Sequence, residues 1–350
     1  MKSLILSNQE GSQNNAKDSL VMYEEIIKAV ELGGIESRHA FIGSEPDLTA
    51  LINRERPDIV FSAGCFTQAA NHSGQNVHAL LKRMKVPFIG SEPEILELVL
   101  SKIDTKDKWV REGVKTPTYH AINRVDDKHI SGLETLTELR NFPYIVKPSN
   151  EGSSRGLDKT SVVFTSDELV KKAKKTLQEF DQILIEEYLG MFDDFREFTV
   201  AMIGNKDRML LMPAEIELLQ KEDIPVITTA HKNNRGTKAT KINDYYFRKE
   251  LVNLARKALM CVGIEDYGRC DMLYAGGQFF AIEVNGQPLM PDLRFDACAL
   301  SIGLKREEYI NTIFLSGLIR NLMVKKPDDS IIQQMKKVIP QDLFNYLFNN

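Results

Sequence analysis

Three clusters of residues have the types and spacing to do chemistry. The first is Lys147-Pro148-Ser149-Asn150-Glu151-Gly152-Ser153-Ser154-Arg155-Gly156, where a lysine closes an apolar strand and a small-residue loop follows. Gly and Ser let backbone N–H groups approach phosphate oxygens, and the lysine adds a point charge. The GxxxxGK[ST] pattern is absent, so this is no Walker A loop. A surface turn after a strand would use the same residues.

The second cluster is Asp271, Glu283 and Asn285. Side chains alternate along a strand, so Glu283 and Asn285 share a face, and Asp271 can meet them from the neighbouring strand. Three oxygen donors on one face suit Mg²⁺ held jointly with nucleotide phosphates. Arg269 lies two residues before Asp271 on that face, placed to steady a transferring phosphoryl group. The alternative is a solvated hairpin face, but Met272, Leu273, Phe279, Phe280, Ile282 and Val284 make these strands too apolar for idle surface. The third cluster, Ile185-Glu186-Glu187-Tyr188-Leu189, could form an adenine slot in which backbone groups read the base edge; an ordinary strand end is its alternative.

These clusters need elements to position them. Short apolar runs alternate with helical patterns, which predicts α/β and α+β architecture. Residues 4–6, 58–61 and 86–89 are expected strands, with helices over 18–32, 48–55 and 76–84, forming a small doubly wound unit. A long helix is expected from Pro93 through Lys102 to Glu112, then strands over 144–147, 161–164 and 183–186 and a helix over 167–179. Beyond Phe195 come a strand at 197–202, a mobile basic loop at 232–241, a helix at 245–261, and strands at 268–274 and 278–285 joined at Gly276-Gly277, a hairpin signal. The expected units are 1–97, 98–190 and 191–350.

Composition narrows the class. A net charge of −4 and an isoelectric point near 6.0 give no basic field for nucleic acid. No apolar run reaches the length of a membrane span, and Leu4-Ile5-Leu6 is too short for a signal-peptide core. Cys65, Cys261, Cys270 and Cys298 form no CxxC pair or zinc spacing, and are read as reduced, mostly buried thiols of a cytoplasmic protein. His72 and His78 are not spaced as a metal site.

The chain resembles the D-alanine–D-alanine ligase branch of the ATP-grasp superfamily. The matching stretches are Ser101-Lys102 with Lys106, Gly113-Val114-Lys115-Thr116-Pro117, Phe142 to Pro148 with Glu151-Gly152-Ser153-Ser154, Glu186 to Leu189, Arg196 to Val200, Gly268 to Asp271, and Glu283-Val284-Asn285. His72 to Asn76 and Val86 to Ser91 fit the end of that family's first domain. The resemblance implies an ATP-grasp fold of three subdomains, with ATP between the central and C-terminal ones. It implies that Lys102 and Lys147 hold phosphates and that Glu151, Ser153 and Ser154 lie on a small loop closing over them. Glu186 would accept from the adenine amino group, Glu187, Tyr188 and Leu189 would form the hinge, and Glu197 would bind the ribose. Asp271, Glu283 and Asn285 would bind two Mg²⁺ ions, with Mn²⁺ as the alternative. Arg269 would contact substrate and stabilise an acyl phosphate, aided by Ser153 and by Lys232 on the larger mobile loop. A homodimer is implied by the resemblance only.

The departures fall on the substrate side. Glu10, in Ser7-Asn8-Gln9-Glu10-Gly11, is out of register with the family glutamate that contacts the first substrate's ammonium. After Asn285 the run is Gly286-Gln287-Pro288-Leu289-Met290-Pro291-Asp292-Leu293-Arg294, with Leu289 at the family glycine and Arg294 near the carboxylate-binding serine. The larger loop, Ala230-His231-Lys232-Asn233, lacks the family tyrosine. The expectation is an ATP-dependent ligase joining a carboxylate donor to an amine acceptor, both amino acids or small peptides. Arg294 would pair with an acceptor carboxylate and Asp292 with its ammonium; a salt bridge from Arg294 to Asp292 or Asp296 is the alternative. The rivals are a true D-alanine–D-alanine ligase, an ATP-grasp enzyme using a non-amino-acid carboxylate, and a non-catalytic ATP-binding module.

Overall fold

β-Branched and leucine-rich segments at the start of the chain pair in parallel, because helices return the chain to the same edge each time. In the computed structural model, β1 (Lys2–Asn8), β2 (Glu36–Ile42) and β3 (Ile59–Phe61) join β6 (Phe88–Ile89) in the order β2-β1-β3-β6. A two-residue pair, β4 (Phe66–Thr67) with β5 (Gln75–Asn76), stands beside them. Helices α1 (Ala16–Leu32), α2 (Glu45–Glu55) and α3 (Val77–Arg83) make the connections. The structure describes all residues except 9–15, 63–65, 68–74, 125–129, 132–135, 137, 153–154, 221, 227–235, 289, 291–292, 324–328 and 350.

The expected long helix after Pro93 is two helices, α4 (Pro93–Leu100) and α5 (Lys102–Arg111). Ser101 leaves the helical region (φ −81°, ψ 110°), and its hydroxyl accepts from the Asp104 N–H, starting α5 anew. This break makes Lys102 the first residue of a helix.

The second sheet is antiparallel. Strands β7 (Tyr119–Arg124), β8 (Ile130–Ser131), β9 (Tyr144–Pro148), β10 (Val162–Val163) and β11 (Gln182–Glu187) lie in the order β10-β9-β11-β7-β8, backed by α6 (Ser166–Thr176). The third sheet contains β12 (Arg196–Asn205), β13 (Arg208–Leu218), β14 (Thr237–Thr240), β15 (Asp266–Ala275) and β16 (Gln278–Asn285), in the order β14-β13-β12-β15-β16. The end of the stretch expected as a mobile loop is thus strand β14, paired with β13 over Glu215 to Leu218. Strands β2, β4, β5, β7, β8 and β13 are not among those expected from the sequence.

Helix α7 (Tyr245–Val262) packs on the third sheet, and the Trp109 indole N–H of α5 donates to the Ala258 carbonyl at 3.1 Å. The chain then turns back through α8 (Leu293–Ser301), α9 (Arg306–Arg320), α10 (Ser330–Met335) and α11 (Gln341–Phe348). Ile310, Ile313 and Phe314 of α9 share one core with Ile5 and Phe61 of the first sheet. Gly317 permits that approach: a Cβ there would lie 2.7 Å from Ile89 Cγ1. The described cysteines, Cys261, Cys270 and Cys298, are free thiols. Among the described residues no helix is long and apolar enough to cross a membrane.

Candidate active site

A cleft opens between the second and third sheets. One wall comes from α5, β9, β11 and the loop after β9; the other comes from β15, β16 and the start of α8. Lys102, Lys147, Glu151, Glu186, Glu187, Tyr188, Leu189, Glu197, Asp271, Glu283 and Arg294 all line it. Arg269 and Asn285 are not among its walls. Ser153, Ser154, Lys232 and Asp292 lie outside the described residues, as do Glu10, Cys65, His72 and Leu289.

Strand register builds the polar end. Asp271 pairs directly with Glu283, and Arg269 with Asn285, across the β15–β16 hairpin. The register shifts between Asp271 and Met272, a bulge at which Ile282 as well as Glu283 lines the cleft. Asp271 Oδ1 accepts from Thr199 Oγ1 at 2.7 Å and from Arg269 Nε at 3.2 Å. Arg294 Nη1 stands 3.9 Å from Asp271 Oδ2, and Lys102 Nζ stands 3.4 Å from Glu283 Oε2. Two carboxylates therefore face three cationic side chains. Among the described residues no three His, Cys, Asp or Glu side chains converge as a metal cage. Asp271 and Glu283 are a two-carboxylate donor set, with the Asn285 amide oxygen beside them accepting from the Gln287 N–H at 3.1 Å.

The opposite wall centres on Glu186. Its Oε1 lies 2.7 Å from Lys147 Nζ and its Oε2 lies 2.6 Å from Lys106 Nζ. Burial pushes the Glu186 carboxyl up, but Lys106 and then Lys147 hold it below its ordinary value. Burial drives the Lys106 ammonium down to about 8, opposed by the Glu186 charge. Glu187 accepts from Thr118 Oγ1 at 3.1 Å. The Tyr188 N–H donates to the Pro143 carbonyl at 3.0 Å and its hydroxyl to the Pro225 carbonyl at 2.9 Å. Lys102 Nζ donates to the Glu151 carbonyl, joining α5 to the loop after β9. Ile145, Leu157, Val226, Met272, Leu273 and Ile282 give the cleft an apolar slot suited to a flat ring.

Asp296 is bound by Arg306 and the Tyr309 hydroxyl, whereas Arg294 turns toward Asp271. Sequence reasoning assigned no role to Thr199, Thr118 or Lys106. For Lys106 a signal exists, because it stands in the Ile103, Lys106, Trp109 stripe, the buried face of α5.

Comparison with known proteins identifies relatives in sequence and in fold. The family model described as D-ala D-ala ligase C-terminus matches residues 109–314. A D-alanine–D-alanine ligase of Pelagibacter ubique is 27% identical over 270 residues, covering 74% of this chain and 81% of that protein. The crystal structure of Bacillus anthracis D-alanine–D-alanine ligase complexed with ATP superposes with a TM-score of 0.70 at 18% identity, covering 93% of this chain and all of that one. The VanG D-Ala:D-Ser ligase of Enterococcus faecalis superposes with a TM-score of 0.67 at 16% identity, over 90% of this chain and 99% of that one.

Proposed function

The chain belongs to the D-alanine–D-alanine ligase family, an ATP-dependent carboxylate–amine ligase of ATP-grasp fold, and from that premise we propose that it couples two amino acids or small peptides through an acceptor site of its own. The donor carboxylate is activated as an acyl phosphate, the acceptor amine attacks that carbonyl, and ADP and phosphate are released. One observation carries the reading: Lys102, Lys147 and Glu186 share a cleft with Asp271 and Glu283, so nucleotide-holding and charge-neutralising groups meet at one place.

In this reading the apolar slot takes the adenine. The Tyr188 and Glu187 N–H groups are committed to the Pro143 and Thr118 carbonyls, so the hinge contact falls to the Glu187 carbonyl and the backbone of Leu189. Glu197 takes the ribose, and Lys102 and Lys147 take phosphates. The donor set fits Mg²⁺, since Asp271, Glu283 and Asn285 offer hard oxygens and leave ligand positions for phosphate. Those three residues would hold the metal, with Mn²⁺ as the alternative, and it would neutralise phosphate charge. Arg269 stabilises charge on the tetrahedral intermediate beside Asp271. Ser153 and Lys232 shield the acyl phosphate from water.

Arg294 is the acceptor-side residue. It lines the cleft beside Asp271 with a side chain only 13% exposed, and a buried guanidinium is suited to bidentate capture of a carboxylate. Asp292 would hold the acceptor ammonium. The VanG protein is named for a different acceptor from the Pelagibacter enzyme, which supports a fold whose acceptor pocket varies. The three sheets support units at 1–97, 98–190 and 191–350, and we read the assembly as a cytoplasmic homodimer.

ADP release from Mg-ATP is the test, run against pooled L-amino acids, D-amino acids and small carboxylates with product mass analysis. Release that requires two particular compounds, with a product mass equal to their sum less water, is the expected result. Release with D-alanine alone would make the chain a D-alanine–D-alanine ligase despite Arg294. Silence from every pool would refute the amino-acid reading.

A further inference from the structure

The buried charges around Glu186 are unequal in number and in position. Two ammonium groups, of Lys106 and Lys147, face one carboxylate, and each takes a different oxygen of it. All three groups are withdrawn from solvent: the Lys106 side chain is 0% exposed, Glu186 4% and Lys147 7%. Yet Lys147 and Glu186 line the cleft, whereas Lys106 does not. Lys106 is fixed behind them by the Thr116 hydroxyl, with its ammonium 6.0 Å from the Trp109 ring centre and 5.7 Å from that of Tyr119.

A buried carboxylate deprived of its cation is strongly unfavourable. With Lys147 as the only partner, the pair would be neutral and closed, and drawing the lysine onto a phosphate would strand Glu186. We infer that Lys106 is a resident counter-ion that keeps Glu186 charged and paired while Lys147 transfers from Glu186 to a nucleotide phosphate. The transfer also releases Oε1 to accept from the amino group of the base, with Oε2 still held by Lys106. Lys106 is thus a positioning residue, acting through Glu186 on a ligand it never touches. The direction of its ionisation agrees: burial lowers it, and the Glu186 charge is what supports it.

This inference rests on the cleft binding ATP. The test is calorimetric titration of Mg²⁺ with β,γ-imido-ATP into wild type, Lys106→Met, Glu186→Gln and the double variant, with circular dichroism as the fold control. Wild type binds, and Lys106→Met binds about 10- to 100-fold more weakly, the range for coupled buried charges. The double variant has no carboxylate to trap Lys147, so it matches Glu186→Gln within about threefold and binds more tightly than Lys106→Met. A merely structural lysine would not be rescued by removing a second buried group. Folded Lys106→Met with wild-type affinity would overturn the inference, as would an equal penalty in both backgrounds. Should Lys106→Met not fold, a double variant more than about tenfold weaker than Glu186→Gln would overturn it, and equality would support it. Absence of binding by wild type would instead remove the ATP reading itself.

Discussion

Replacing Asp266 by alanine should destabilise the chain by about 4 kcal/mol, within the range for breaking a buried, hydrogen-bonded ion pair. Asp266 opens β15 with no solvent exposure and a positive φ of 60°. Its Oδ2 accepts from the Gly90 N–H at 2.8 Å and from Arg320 Nε at 2.9 Å, and its Oδ1 accepts from Asn205 Nδ2 at 2.9 Å. The carboxylate therefore ties the end of β6, the end of β12 and helix α9 to the strand that carries Arg269 and Asp271. Alanine leaves the Gly90 N–H without this acceptor, which costs about 1–3 kcal/mol, and loses a charge-assisted bond to Arg320 worth about 1.5–3 kcal/mol. Asn205 Nδ2 retains Ser316 Oγ at 2.8 Å, so its loss is nearer 0.5–1 kcal/mol, roughly one ordinary hydrogen bond. Arg320 keeps the Phe88 and Gly90 carbonyls at 2.8 and 2.9 Å, which caps the total. Urea unfolding followed by circular dichroism and by Trp109, the single tryptophan, measures the change as a midpoint shift at constant slope. A shift worth less than about 1 kcal/mol would refute the view that this carboxylate joins the elements.

Asp271→Asn and Glu283→Gln should each lower turnover by more than about 100-fold with little change in melting temperature, the scale of losing charge stabilisation at a reacting centre; retained turnover would dismiss the metal assignment. Arg294→Ala should raise the acceptor KM by roughly 10- to 100-fold, as for a lost charge-assisted pair, and leave nucleotide affinity unchanged; an unaltered acceptor KM in steady-state kinetics would sink that role. His78 is held near 4 by burial, against an ordinary 6.5. The unfolded chain takes up that proton first, so the His78 contribution is complete above pH 6.5 and is lost as pH falls toward 4, by about 3 kcal/mol in all. Denaturation midpoints measured across that window should slope in wild type and flatten in His78→Gln.

Local rules made part of this legible. The Gly276-Gly277 turn marked the β15–β16 hairpin, but its register alone would set Asp271 opposite Ile282; the bulge between Asp271 and Met272, which no local rule marks, brings Asp271 opposite Glu283. The doubly wound character of the first unit followed from strands spaced by helices. Strand β2 escaped notice because Glu36-Ser37-Arg38-His39 at a sheet edge has no strong apolar period. Strand β13 carries Pro213, which argues against an interior strand from sequence alone. The break at Ser101 lies inside an unbroken helical period with no Gly or Pro; only Ser101-Lys102-Ile103-Asp104, a capping pattern, marks it. Lys106 was quoted as a motif residue, but its charge belongs to Glu186, and that partnership exists only once β9, β11 and α5 are assembled.

The two sides of the cleft are constrained in different ways, and that bears on which can change during specialisation. The proposed nucleotide side sits in paired strands: moving Lys147, Glu186 or Asp271 by one residue would turn it to the other face. The proposed acceptor side begins after β16, where no strand register applies, but it is not loose. A Cβ on Gly286 would lie 2.9 Å from Leu96 Cδ2, and the Gln287 amide donates to the Ser62 hydroxyl and lies 3.1 Å from His78 Nε2. Met290 and Phe295 are fully buried. Arg294 precedes the buried Phe295, so in the proposed reading its guanidinium would meet an acceptor with little freedom left to lose. On the proposed assignment, such a site could exchange one carboxylate-binding residue for another without disturbing the strands that would hold the nucleotide. In that reading Arg294 would favour acceptors that carry a carboxylate, because only a carboxylate takes a guanidinium's parallel N–H donors bidentately.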